Sequence, residues 1–476
     1  MQNAYSQFNI ESLELTNFRC FNEFSVHFNL EPRTIFAPDK KTTVGPLTVL
    51  VAKNGMGKTS LLDAIRILFG TYTSSFSSRS KKAGRIKSAV HANQSDIHLF
   101  RKDDGFLAQA NGLSIHANVF LGGEPVPVSR DLPQKEGSRT TTKGTSSISH
   151  FGNALAEMRE QNPSVSWPLI AYYGTKRLGL PAKTTKRTLL AMDSAAFGYD
   201  NCLGEHHSFK AVNDWLTKAI SKRNIERADN LKQNHIMESQ IRAVSNSLQC
   251  VLLSKEYLPE LTIESLLDEL AIKQVTTGGI IPVAISQLSD GVRNVFSLVS
   301  DMAFRCAKLN PHFGENAPRE TEGIIMIDEV DLHLHPAWQQ IILNTLQLAF
   351  PKLQFIVTTH SPQVISSIPH ECVRILDPTQ SQASVPDEQT DGSTAQRMLN
   401  DVFGTSSRVP TDNNEVSFSF HKYRELVEGD KWDSPEAQEI LGFLKAKTPT
   451  DPELAGLAMT VHLKEYQRRH SGETNP

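Results

Sequence analysis

Residues 51–59, VAKNGMGKT, join the apolar run LTVL to the helical pattern SLLDAIRILF. No other stretch restricts the fold as much. An apolar run of strand length predicts a buried strand, and leucines and isoleucines at helical spacing predict a helix. Between them, Gly55 and Gly57 permit the left-handed backbone angles of a tight loop. Lys58 and Thr59 then open the helix. Backbone N–H groups gathered at a helix N-terminus hold anions, and the motif G-x-x-x-x-G-K-[ST] builds a phosphate loop in this way. Gly57, Lys58 and Thr59 fit that motif, whereas Ala52 stands at the position of its first glycine. The piece alone is as compatible with an ordinary glycine turn, so its meaning depends on what else the chain provides.

The chain has 476 residues, enough for one large core or for two to three smaller ones. With 39% hydrophobic and 21% charged residues it reads as globular rather than disordered. A formal net charge of -3 argues against a wholly basic nucleic-acid coat and leaves room for a local basic patch. The five cysteines, Cys20, Cys202, Cys250, Cys306 and Cys372, form no CxxC pair, which argues against zinc and against a disulfide framework. The N-terminal stretch carries no signal-peptide pattern and no apolar segment approaches membrane-spanning length, so a cytoplasmic location without a membrane partner is expected.

Alternation in FNIESLELTNF and around 24–28 predicts a hairpin of half-buried strands near the start. Residues 73–88 are serine-rich and basic, with no acidic side chain. SDIHLF, FLAQA and LSIHANVF predict an antiparallel sheet, and residues 122–147, rich in Gly, Pro, Ser and Thr, read as an exposed loop. WPLIAYYGTKRL predicts a buried strand ending in a turn. From about 207 to 272 the pattern reads as a compact helical insertion without sustained heptads. Residues 377–396 have linker composition, and the remainder is mostly helical.

Three further segments complete a constellation. GIIMIDE carries Asp328 and Glu329 to the C-terminal end of an apolar strand, the edge at which open α/β sheets bind ligands. Asp328 there would hold magnesium, and Glu329 would polarise an attacking water. SQLSDGVRN places Ser289 and Gly291 at the start of a helix, a second anion-binding N-terminus. FIVTTHSP ends a strand with His360, which could bond to a terminal phosphate. Taken singly, each also fits a solvated strand end or a serine-capped helix.

In this order, FNIESLELTNFRCF, AKNGMGKT, LSDGV, IIMIDEVDLHLHP and TTHSP resemble the SMC/RecF-like branch of the ATP-binding-cassette ATPases, over residues 8 to about 376. The resemblance implies an α/β ATPase head: a mixed sheet with a P-loop and an antiparallel β subdomain, here with a helical insertion and a helical C-terminal tail. It implies ATP and Mg2+ as ligands and a head-to-head dimer with two composite sites. Asn54, Gly55, Gly57, Lys58, Thr59 and Ser60 would cradle the phosphates. Thr59 and Asp328 would hold the metal, and Glu329, His360 and Asp328 would carry the chemistry. Ser289 and Gly291 would reach the partner's nucleotide, Asp331 would lie in the loop that communicates across the dimer, and Arg19 would approach the phosphates beside Phe18. Ala52, Asp290 and Val292 depart from the family pattern, which predicts weak or regulated hydrolysis. The usual metal-contacting glutamine is not placed, and Gln94 precedes the second sheet. His333 and His335 alternate as metal ligands can, but their position in the inter-subunit loop argues against that role.

The chain lacks the long arms of chromosome-associated members and shows no acidic nuclease cluster after the linker. Length, the short insert, YYGTKR, DEVDLHLHP and the helical tail are similar to the stand-alone ATPases of bacterial anti-phage defence, the Septu (PtuA) type and the retron-associated type. That likeness implies an HNH nuclease partner (PtuB-like) governed by nucleotide state, with residues 386–476 as linker and docking or oligomerisation region. It divides the chain into an ATPase lobe at 1–205, a helical insertion at 206–275 and a second lobe at 276–385. Two alternatives stay open. One is a RecF-like DNA-binding repair ATPase, for which RSKKAGRIK is the one dense basic run to nominate, and the other is a nucleotide-gated scaffold with little turnover.

Overall fold

A computed structural model describes residues 7–37, 40–76, 90–103, 105–135, 140–141, 143–178, 194–205, 209–229, 235–252, 257–264, 269–404 and 414–470. The basic run at 79–87 lies outside them. By internal contacts the chain forms two units, residues 1–398 and 399–476.

The first unit is organised by a five-stranded parallel sheet in the order β10-β14-β15-β5-β16. These strands are β5 (Leu47–Val51), β10 (Leu169–Tyr173), β14 (Gly323–Ile327), β15 (Leu353–Thr358) and β16 (Val373–Ile375). LTVLV, LIAYY, GIIMI and LQFIVT are buried at every position. Continuous apolar runs of this kind need cover on both faces, which is the situation of a parallel sheet. Helix α1 (Lys58–Ser74) buries Leu61, Leu62, Ile65, Leu68 and Phe69. The register aligns Tyr173 with Ile327, Ile327 with Val357, and Thr358 with Leu50. The segments that follow four of these strands therefore leave one edge of the sheet side by side.

A second, antiparallel sheet has the order β2-β1-β8-β9, from β1 (Phe8–Phe18), β2 (Phe21–His27), β8 (Gly112–Leu121) and β9 (Glu124–Pro133). Small two-stranded sheets pair β3 (Arg33–Ala37) with β4 (Lys40–Val44), and β6 (Leu99–Arg101) with β7 (Leu107–Gln109). The buried Gln354 joins the two larger sheets, donating to Ile10 O and accepting from Ile10 N, both at 2.9 Å. The expected hairpin at the N-terminus is present. The loop read at 122–147 is not a loop throughout, since 124–133 forms β9 against β8. Gly122 and Gly123, at φ 68° and 88°, make the two-residue turn of this hairpin. β9 is an edge strand, which is how it accommodates Pro125, Pro127 and Pro133.

The insertion is helical in α3 (Phe209–Ala228) and α4 (His235–Val251), after α2 (Ser146–Gln161). The helical reading fails from Tyr257 onward. There β11 (Tyr257–Glu264), β12 (Glu269–Thr276) and β13 (Gly279–Ala284) form a three-stranded antiparallel sheet. β13 leads through a short turn into α5 (Asp290–Leu309), which is buried along most of its length. Helix α6 (Ile342–Ala349) precedes β15.

The second unit contains α7 (Glu415–Glu428), α8 (Pro435–Lys447) and α9 (Pro452–His470). Phe420, Tyr423, Val427, Trp432, Ala437, Leu444 and Leu454 form its own core. Asn414 and Ser434 cap α7 and α8 through their side-chain oxygens, and Pro435 follows its cap at the position where a missing N–H costs nothing. Among the described residues no helix is long and apolar enough to cross a membrane.

Candidate functional site

The loop after β5 takes the conformation its glycines allow. Gly57 caps α1 at φ 92°, and a Cβ there would lie 2.3 Å from Phe21 Cζ and 2.7 Å from Cys20 Sγ. Glycine is required at that point both by backbone angle and by space. Gly55, at φ 79°, faces open space, so its requirement is conformational alone. Ala52 is buried where the strand leaves the sheet and is not among the residues of positive φ, so its methyl group is tolerated. Asn54 is exposed, and Ser60 is half-buried in the first turn of α1.

Lys58 Nζ donates to Ala52 O at 2.9 Å and to Lys53 O at 3.4 Å, so the ammonium folds back over the loop. Burial pushes its pKa down, partly offset by Asp328, Glu329 and Asp331. One residue on, Thr59 Oγ1 donates to Asp328 Oδ2 at 2.8 Å across 269 positions of sequence. The other carboxylate oxygen of Asp328 accepts from Thr358 Oγ1 at 2.6 Å. The phosphate loop, the acid-tipped strand and the last residue of β15 therefore meet at one buried carboxylate.

Glu329 is bent into the left-handed region at φ 47°. A non-glycine residue held there costs about 1–2 kcal/mol, so its neighbours must fix it. Its N–H donates to Thr358 Oγ1 at 2.8 Å. Its carbonyl accepts from Arg177 Nη2 at 2.8 Å, and the carbonyl of Asp328 accepts from Arg177 Nη1 at 2.7 Å. Arg177 is 1% exposed, and burial lowers its pKa to about 10. Its Nε donates to Asn294 Oδ1 at 2.8 Å, and Asn294 Nδ2 donates to Leu332 O at 2.9 Å. Sequence reasoning assigned neither residue a role. YYGTKR after a buried strand was the available signal, because it delivers a basic side chain to the same edge of the sheet.

Asp331 accepts from Thr359 Oγ1 at 2.5 Å, and Thr359 Oγ1 accepts from Ser361 N at 2.9 Å, which ties the loop after β14 to the turn after β15. His360 is half-buried in that turn. Burial, then the Lys58 ammonium, holds its pKa below the ordinary imidazole value, with Asp331, Glu329 and Asp328 acting in the opposite sense. Lys58, Thr59, Asp328, Glu329, Asp331 and His360 are thus close enough to bond or to shift one another's titration. Ser289 and Gly291 lie elsewhere. Ser289 is exposed at the N-cap of α5, and a Cβ on Gly291 would sit 2.6 Å from His333 O. The turn at Ser289–Gly291 packs against the 331–335 loop at His333.

Arg19 bonds Asp63 on α1 through Nη1 at 2.6 Å and Asp96 through Nε at 2.9 Å. Burial opposes its charge, but these two carboxylates raise its pKa. Gln94 Nε2 donates to Pro133 O and Lys135 O, a structural use. His335 Nδ1 accepts from Ala337 N at 3.3 Å, while Asp290 pairs with Arg293 on its own helix.

A hydroxyl and a carboxylate in mutual contact at a helix N-terminus are hard oxygen donors suited to magnesium, and the adjacent lysine suits a phosphate. The donor set therefore fits a magnesium nucleotide, with Thr59 and Asp328 toward the metal and Lys58 toward the phosphates.

The family described as "AAA domain, putative AbiEii toxin, Type IV TA system" matches residues 47–366. "Retron Ec83 probable ATPase" from Escherichia coli is 24% identical over 510 aligned positions, covering 97% of this chain and 88% of that protein. "Septu protein PtuA" from Bacillus mycoides is 31% identical over 160 residues, 33% of this chain and 21% of that protein. The SMC head domain from Thermotoga maritima aligns with a TM-score of 0.40 and 15% identity, over 79% of this chain and 97% of that one. Phosphate loop, acid-tipped strand and histidine turn all fall inside the matched span, and the chain belongs to this AAA-domain family of P-loop ATPases, with similarity to ATPases of retron and Septu systems.

Proposed function

We propose that this chain binds and hydrolyses ATP with magnesium at composite sites of a head-to-head dimer, and that nucleotide state regulates a nuclease partner in antiviral defence. The Thr59–Asp328 hydrogen bond of 2.8 Å carries the catalytic half of this reading, because it joins the two motifs that a magnesium nucleotide needs together. Lys58 and the loop N–H groups bind the phosphates. Bound magnesium would neutralise charge on the phosphate oxygens. Glu329 accepts a proton from the attacking water, and His360, neutral at pH 7, presents its ring toward the terminal phosphate. Ser289, exposed at the N-cap of α5, and Gly291 serve a second copy's nucleotide. An isologous dimer provides each site with both halves.

Lys58→Ala should abolish ATP binding. Glu329→Gln should keep it and slow hydrolysis by about 10²–10⁴-fold, accumulating the closed dimer. Unimpaired ATP binding by Lys58→Ala would refute the assignment. The partner is the finer part of the proposal. The retron and Septu names of the relatives support a defence role, and the separate core of 399–476 supports a docking unit beyond the ATPase. Removing residues 402–476 should abolish co-purification of an HNH nuclease, whereas undiminished co-purification would exclude that role for the unit.

A further inference from the structure

Arg177 is the largest investment in the site that the proposed chemistry leaves unused. It is a fully buried guanidinium, and its bonding partners are neutral oxygens: Asn294 Oδ1, Asp328 O, Glu329 O and, at 3.3 Å, Gly174 O. Burying a charge among neutral acceptors is expensive, and the nearby Asp328, Glu329 and Asp331 carboxylates offset that burial only in part. What the planar fork supplies is geometry, through donors in fixed relation that seize two successive carbonyls. Those carbonyls belong to Asp328 and Glu329, at the point where Glu329 turns to φ 47°. A bend so held sets the direction in which the Glu329 side chain leaves the chain.

Asn294 adds a second link. Its amide accepts from Arg177 and donates to Leu332 O, so one side chain of α5 grips both the start of the 328–335 loop, through Arg177, and its middle. Asn294 stands little more than one helical turn from Ser289, at the N-terminus that the proposed dimer would present to a second copy.

We propose that Arg177 is a positioning residue for hydrolysis, fixing Glu329 through its main chain, and that Asn294 makes this position depend on the placement of the signature helix α5. The inference rests on the proposed role of Glu329 as the base. Closure of the dimer around nucleotide bears on the N-terminus of α5, and the Asn294–Arg177 pair transmits that state to the base.

The test is a double-mutant comparison in the full-length chain, with Arg177→Ala, Arg177→Lys and Asn294→Ala made alone and combined with Glu329→Gln. ATP affinity and single-turnover hydrolysis are measured for each. A group that acts through Glu329 loses its effect once Glu329 is removed, whereas a general structural defect does not. Arg177→Ala alone should lower kcat by about 10–100-fold with ATP affinity kept within about threefold, and should lower it less than about threefold in the Glu329→Gln background. Arg177→Lys should fall between, since an ammonium lacks the fork. Equal losses in both backgrounds, or an ATP affinity that falls in step with kcat, would overturn the proposal. Should Arg177→Ala fail to fold, Asn294→Ala decides alone, because it leaves both carbonyl bonds of the guanidinium in place. It should slow the wild-type background by about 3–10-fold and leave Glu329→Gln unchanged. Wild-type turnover by Glu329→Gln itself would overturn the reading of the base and this inference with it. A slowed Glu329→Gln with additive Arg177 losses would overturn the inference alone.

Discussion

The single hydroxyl of Thr358 is the smallest part whose removal should open the site. Thr358 is fully buried, and its Oγ1 donates to Asp328 Oδ1 at 2.6 Å while accepting from Glu329 N at 2.8 Å. Thr358→Val keeps the branched shape, so no cavity forms, but both bonds are lost. A hydrogen bond to a charged group contributes about 1.5–3 kcal/mol, and an orphaned buried N–H costs about 1–3 kcal/mol. The two effects share one atom and are not additive, so about 3 kcal/mol is the expected loss. Thr358→Ser retains the hydroxyl and sacrifices one methyl group, about 1 kcal/mol. Amide exchange on a peptide spanning 323–334 reads the change locally. Protection of the Glu329 amide should fall about 100-fold in Thr358→Val and about fivefold in Thr358→Ser. Equal losses in the two variants, or an unchanged amide in Thr358→Val, would refute the claim that this hydroxyl holds the acid-tipped strand in place.

Two further outcomes follow from the same contacts. Gly291→Ala should destabilise by about 1–3 kcal/mol, because the added carbon meets a backbone carbonyl that cannot rotate away. Its ATP binding should persist while turnover falls, as measured by nucleotide titration and phosphate release. His360 should titrate below its ordinary value of 6.5, from burial first and the Lys58 ammonium second. A base with a depressed folded pKa contributes stability in full above its unfolded value, and loses it as pH falls from there toward the folded value, because the unfolded chain takes the proton first. His360→Gln should therefore reduce the loss of stability on acidification below about pH 6.5. An NMR titration placing the His360 midpoint at or above 6.5 would contradict this.

Much of the site was legible because its parts are local. LTVL, GIIMI and LQFIVT are buried, mainly apolar runs, and each delivers its chemistry at or just beyond its last residue. Arg177 was not legible, because its role lies in which carbonyls it meets, and these are 151 and 152 positions away. Asn294 lies in SQLSDGVRN, yet only packing reveals that its amide joins Arg177 to Leu332. The strand at 124–133 was obscured by its prolines, which the edge of a sheet accepts, and the alternation of Val126, Val128, Arg130 and Leu132 was the signal beneath them. Beyond Val251, a shortage of glycine and proline suits helix and strand alike, and the β-branched Ile272, Val275 and Thr276 of ELAIKQVT favour the strand it forms.

The composite site is tested most directly by mixing two inactive chains. Lys58→Ala disables a protomer's own phosphate loop, and Ser289→Arg disables the signature turn it offers to its partner. If each site draws on both protomers, a mixed dimer holds one wholly disabled site and one intact site. An equimolar mixture should then recover about a quarter of wild-type ATP turnover from two preparations that have none, half the dimers being mixed and each having one working site. No recovery after verified subunit exchange would contradict the account.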